Sequence, residues 1–107
     1  MLGLQTGFGQ ILDPVKWSFS TEKVNDQEYN LKFTATIEPG WYVYSQFLEG
    51  EDGPIPTSFN FDESDHFELV GKAVENSDHR KEGHDPMFDM NIVKFAESVT
   101  FTQKIKV

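Results

Sequence analysis

Strict alternation of apolar and polar residues runs through this chain and restricts it to strands. Tyr29, Leu31, Phe33, Ala35 and Ile37 alternate with Asn30, Lys32, Thr34, Thr36 and Glu38. Val15, Trp17 and Phe19 alternate with Lys16, Ser18 and Ser20. Near the end Val99, Phe101, Ile105 and Val107 alternate with Thr100, Thr102, Lys104 and Lys106, and Gln103 is the one polar entry on the apolar row. Successive strand side chains point to opposite faces, so a period of two turns one face to a core and the other to water. Shorter strands are expected at Trp41–Gln46, Thr57–Phe61, Phe67–Lys72 and Met90–Phe95. Turn residues separate the runs: Asn25-Asp26, Pro39-Gly40, Glu51-Asp52-Gly53-Pro54 and Ala96-Glu97-Ser98. No stretch carries helical spacing. The expected fold is an all-β, immunoglobulin-like antiparallel β-sandwich of six or seven strands.

Composition decides how such a fold is held. Ten Phe, three Tyr and two Trp among 107 residues provide a core for one domain, so disulfide staples are not needed. The complete lack of cysteine therefore does not identify a compartment. The net charge of −9 resides in residues 49–89, while acids and lysines balance over the rest of the chain. That field repels phosphate backbones and excludes nucleic acid as a partner. It reads as a solvated acidic surface that can also steer a basic partner. No run approaches the roughly 20 apolar residues of a membrane span, so this chain is not itself membrane-embedded. Met1–Gln10 is uncharged and rich in small residues, and Gly7-Phe8-Gly9 fits the small-x-small pattern before a signal-peptidase cut. Residues 1–10 are read as a signal-peptide remnant or disordered tail, and 11–107 as the domain.

Five elements in order carry a family likeness: Pro14-Val15-Lys16-Trp17, Pro39-Gly40-Trp41-Tyr42-Val43-Tyr44-Ser45-Gln46, Gly53-Pro54-Ile55-Pro56-Thr57-Ser58-Phe59, Asp85-Pro86-Met87-Phe88-Asp89-Met90 and Phe101–Val107. Together they resemble the N-terminal periplasmic (disulfide bond corrector-like) domain of the DsbD thiol:disulfide interchange proteins, in the version fused to a cytochrome c biogenesis-type membrane region. The resemblance implies an exported, periplasmic domain whose parent is anchored in the inner membrane. It implies a parent that is a protein-disulfide reductase, relaying electrons to disulfide isomerases or cytochrome c maturation proteins. The implied partners are thioredoxin-fold periplasmic proteins and the parent's own thioredoxin-like and membrane domains.

In that family two redox cysteines lie on strands that follow the counterpart of Phe101–Val107, and here the match ends just short of them. Lys104-Ile105-Lys106-Val107 is still in strand pattern. The expectation is a sandwich truncated before its last strands, with an open edge beside the final one. Thiol–disulfide exchange requires a cysteine thiolate, so no catalytic residue is assigned to this chain, and no cofactor. The resemblance implies a scaffold, cap and docking role instead. It places Tyr42 and Tyr44 beside the cysteine pair as a shield, and matches Asp85 and Phe88 to a cap loop within the polar stretch Asn76–Asp89.

Other readings of the same residues compete. The run Trp41–Tyr44 puts Trp41 and Val43 on one face and Tyr42 and Tyr44 on the other, which suits a core pair with an edge pair. Trp41, Tyr42 and Tyr44 also suit an aromatic platform, which makes a cysteine-free immunoglobulin-like binding module for carbohydrate or protein the alternative function. Asp78-His79 and His84-Asp85 offer imidazole and carboxylate, but four residues between the histidines is not a ligand spacing, and no metal is assigned. No serine sits in a Gly-x-Ser-x-Gly elbow, and the many carboxylates define no paired acid and base.

Overall fold

The first hairpin turns alternation directly into pairing. β1 (Val15–Lys23) and β2 (Glu28–Ile37) run antiparallel in one unbroken register, from Val15 opposite Ile37 to Lys23 opposite Tyr29. Asn25 closes the turn between them, its Oδ1 accepting the N–H groups of Gln27 and Glu28 at 2.9 Å each. A side chain that mimics a turn in this way is why Asn marks such positions. The computed structural model describes residues 13–48 and 53–107. The expectation for Met1–Gln10 lies outside the described residues.

Five further strands follow: β3 (Val43–Tyr44), β4 (Glu68–Asn76), β5 (Arg80–Asp85), β6 (Met90–Phe95) and β7 (Ser98–Lys106). They complete two antiparallel sheets, of order β1-β2-β7-β4 and β3-β6-β5. The β5–β6 hairpin of the smaller sheet is inserted in the chain between β4 and β7, which pair in the larger one. Ala35, Ile37, Val99 and Phe101 of one sheet pack against Val43 and Phe95 of the other, with Val15, Phe33, Phe59 and Val93 around them. The fold is an all-β sandwich. Among the described residues no helix is long and apolar enough to cross a membrane.

Several elements differ from the sequence reading, each for a physical reason. Thr57–Phe61 forms no strand. Pro54 and Pro56 remove backbone donors just ahead of it, and Phe59 instead lies flat on the larger sheet. Its ring is 4.8 Å from Phe33 and 5.1 Å from Phe101. The expected strand Trp41–Gln46 shrinks to Val43–Tyr44. Before it, the Trp41 N–H bonds to the Glu38 carbonyl across a turn in which Gly40 takes φ +86°; after it, the Gln46 N–H leaves the ladder for the Glu75 carboxylate.

Asn76–Asp89, read as a loop, instead contains β5, paired with β6 from Arg80 opposite Phe95 to Asp85 opposite Met90. Its side chains are polar on both faces, which hid the period of two. The open edge expected beside the last strand is also absent: β7 is central, paired with β2 on one side and β4 on the other. Gln103, the polar entry on its inner face, is buried and donates through Nε2 to the carbonyls of Gly71 and Lys104 at 3.2 and 2.8 Å.

Phe101 is completely buried, and its ring meets Trp17, Phe59 and Phe95. Phe101→Ala is expected to cost about 3–5 kcal/mol, most of a small domain's stability, whereas Trp17→Ala on the half-exposed edge strand costs about 1 kcal/mol. Urea unfolding followed by fluorescence and circular dichroism measures both.

Two surface carboxylates are tied into the sheets. Asn30 and Lys32 hold Glu22 below its ordinary carboxylate value, and Arg80 with Asn91 does the same for Glu82. A depressed folded value means that their contribution is present above the ordinary carboxylate range and fades as pH falls through the folded value. Carbon-detected NMR titration is expected to show both groups titrating below 4.5, and Asn30→Ala to return Glu22 towards it.

Candidate functional site

Strand alternation sets the two tyrosines apart from the core. Val43 is buried against Phe95, its ladder partner, so Tyr42 and Tyr44 project from the opposite face. Tyr44 sits opposite Lys94 on β6, and the Lys94 ammonium lies 4.0 Å from the centre of the Tyr42 ring. That is a cation–π contact at the surface, worth roughly 0.5–1 kcal/mol. Trp41 and Tyr42, both exposed, line a cleft of about 290 Å³ with Glu38, Pro39, Gly40, Ala96 and Glu97.

The other two nominated residues lie at the far end of the β5–β6 hairpin. Asp85 Oδ1 accepts the N–H groups of Met87 at 2.8 Å and Phe88 at 3.3 Å, and the Asp89 N–H bonds to the Asp85 carbonyl at 2.7 Å. Asp89 takes a left-handed φ of 52° to complete the turn. Asp85 thus holds the turn that presents the half-buried Phe88. In the hairpin register Asp85 pairs with Met90, while Tyr44 pairs with Lys94 on the same face. Four residues of strand separate the two pairs, roughly 13 Å. Tyr44 and Asp85 share one sheet face but do not touch.

The histidines are separated as well. His79 Nδ1 lies 3.0 Å from Glu97 Oε2, and His84 Nε2 lies 3.0 Å from Asp89 Oδ1. A concavity of about 540 Å³ is elsewhere again, lined by Phe61, Asp62, Glu63, Ser64, Asp65, Phe67 and Leu69.

One constellation escaped the sequence reading. Glu75 projects from β4 on the face it shares with Phe101, its ladder partner. Its carboxylate accepts the Ser45 hydroxyl at 2.6 Å, the Gln46 backbone N–H at 2.7 Å and the Gln46 side-chain amide at 3.1 Å. Gln46 Nε2 also reaches the Ala73 carbonyl at 3.3 Å, and Ser45 Oγ accepts the Phe47 N–H at 3.1 Å. Ser45 is only 2% exposed. These bonds join the edge strand of one sheet to the segment leaving β3 in the other. Glu75 belongs to an acidic run that reads as solvated surface, and no local pattern sets it apart. The adjacent Ser45-Gln46, polar at the end of an aromatic strand, was the available signal.

The geometry makes Glu75 a clasp that fixes β3, with Tyr44 on it and Tyr42 just before it. Glu75→Ala is expected to cost about 2–3 kcal/mol, because it strands a buried hydroxyl and a backbone donor, with Glu75→Gln costing about half. Urea unfolding measures the loss, and the NMR signals of Tyr42 and Tyr44 should broaden as β3 loosens. No family model, curated protein or solved structure compared with the chain matches it.

Proposed function

We propose that this chain is the scaffold, cap and docking part of the N-terminal domain of a DsbD-type protein-disulfide reductase in the periplasm. It lacks cysteine, so it does not itself carry electrons. Its role is to present a protected edge to thioredoxin-fold partners and to the thioredoxin-like and membrane domains of the parent. One observation carries the reading. Among the described residues β3 lies at the margin of the smaller sheet, paired only with β6, and Tyr44 on it and Tyr42 just before it face away from the core. A strand added at that margin would run directly beside Tyr42 and Tyr44. A disulfide on such a strand would be covered by rings, which keeps it from thiolates that approach out of line. Asp85 and Phe88 border the same face from the hairpin end.

The binding-module alternative draws on the cleft beside Trp41 and Tyr42, where two exposed rings meet the carboxylates of Glu38 and Glu97. Rings flanked by acceptors suit a sugar face and its hydroxyls.

Amide-shift mapping separates the two. Titration with an oxidised thioredoxin-fold domain is expected to perturb Tyr42, Tyr44, Lys94 and Asp85–Phe88 at up to millimolar concentration. Perturbation confined to Trp41, Tyr42 and Glu97 by oligosaccharides, with no response to the thioredoxin-fold domain, would overturn the reductase reading.

A further inference from the structure

Among the described residues the two open sheets have four edge strands, and they are not equivalent. β3 is two residues long. β5 carries Arg80, Lys81, Glu82, His84 and Asp85, and charge of this kind blunts an edge. β4 is interrupted by a register shift between Val70 and Val74, where Gly71 takes φ +69°, and a bulge of this kind turns an edge away from pairing. β1 alone is long and regular: nine residues paired to β2 without a shift and, among the described residues, with no ladder on its other side.

The face that β1 shares with the core is also unfinished. Trp17 and Phe19 point to the inner side, where their ladder partners Ala35 and Phe33 lie in or against the core, yet they remain 49% and 59% exposed. Trp17 meets the rings of Phe59 and Phe101, and Phe19 that of Phe33. An open main-chain edge beside two half-covered rings is completed by another strand that brings its own apolar row.

We propose that the occupant is a second copy of this chain. Two β1 strands pair antiparallel about a twofold axis through Phe19, joining two four-stranded sheets into one continuous sheet. The sequence of β1 is self-complementary in that register. Phe19 meets Phe19 and Trp17 meets Thr21 on the inner face, while Ser18 meets Ser20 and Lys16 meets Glu22 on the outer face. The twofold repeats the Lys16–Glu22 pair on either side of the axis. Within one chain Lys16 contacts Asp13, and Glu22 contacts Asn30 and Lys32. All these side chains are on the surface, so the groups are free to share. Each copy carries −9, so the approach is opposed at low ionic strength and favoured by salt, while β1 itself sets Lys16 and Lys23 against Glu22. An interface of one strand edge is small and belongs to the weak, concentration-dependent class.

Sedimentation analysis of the whole chain, up to about 0.5 mM, tests this. A monomer–dimer equilibrium is expected. Lys16→Glu and Glu22→Lys each place like charges across the axis and should weaken it by about tenfold or more. An equimolar mixture of the two variants, and the double variant, should regain it. Circular dichroism and melting of each variant report whether the fold is kept. Because the chain has no cysteine, disulfide trapping gives an independent reading. Phe19→Cys should oxidise to a covalent dimer much faster than Thr21→Cys, whose counterpart across the axis is Trp17. A monomer at every concentration, a dimer indifferent to the charge exchange, or equal trapping at positions 19 and 21 would each overturn the proposal.

Discussion

The packing of Phe101 in the middle of β7 is the constraint on which the rest of this molecule depends. β7 is the only strand of the larger sheet, among those described, with a partner on each side that comes from a distant part of the chain. Phe101 projects from it into the space between the sheets and meets rings from β1, from the irregular segment at Phe59 and from β6. One side chain therefore joins both sheets and the cover between them. Aromatic rings bury large areas and tolerate tilted and edge-on contacts, so they can fill a core to which a non-strand segment contributes. This is why Thr57–Phe61 can serve the core without pairing.

The second constraint is polar. Apolar packing is non-directional and brings the sheets together without settling how the short β3 is held. The Glu75 carboxylate does that, since it offers several acceptor sites and the segment after Tyr44 turns its donors towards it. The two tyrosines owe their orientation to this clasp as much as to the β3–β6 ladder. A core contact and a hydrogen-bonded carboxylate thus divide the work: one sets the distance between the layers, the other sets which way the margin of the smaller sheet faces.

The asymmetry between the edges follows from the same features. Where β4 meets β7, Gln103 and the bulge at Gly71 meet each other's polar groups, which bends the strand and closes that side. β1 has no such device, so it keeps both its regular register and its exposed rings. The net charge is concentrated in residues 49–89, which run through both sheets.

How much of this was readable beforehand differs by element. β1, β2, β6 and β7 are legible because each alternates apolar with polar residues, or forms an apolar run between turn residues, and the pattern is local. The Asn25 and Ala96-Glu97 turns are legible because their chemistry is local too. β5 was not legible, since a strand solvated on both faces has no period and acquires its pairing only from β6. The exposure of Trp17 and Phe19 was hidden because alternation says which face a residue takes and not whether another layer reaches it. Of the nominated site, the outward direction of Tyr42 and Tyr44 follows from the sequence, and the roughly 13 Å between them and Asp85 follows only from the β5–β6 register. Glu75 was hidden altogether, because a carboxylate becomes a clasp only when a distant serine and glutamine are brought to it. The sequence by itself determined the class of fold and the inward face of each strand, because those follow from side-chain period. The tertiary structure alone decided which strand is central, which edge is left open and which acid ties the two sheets together, because those depend on contacts between residues far apart in the chain.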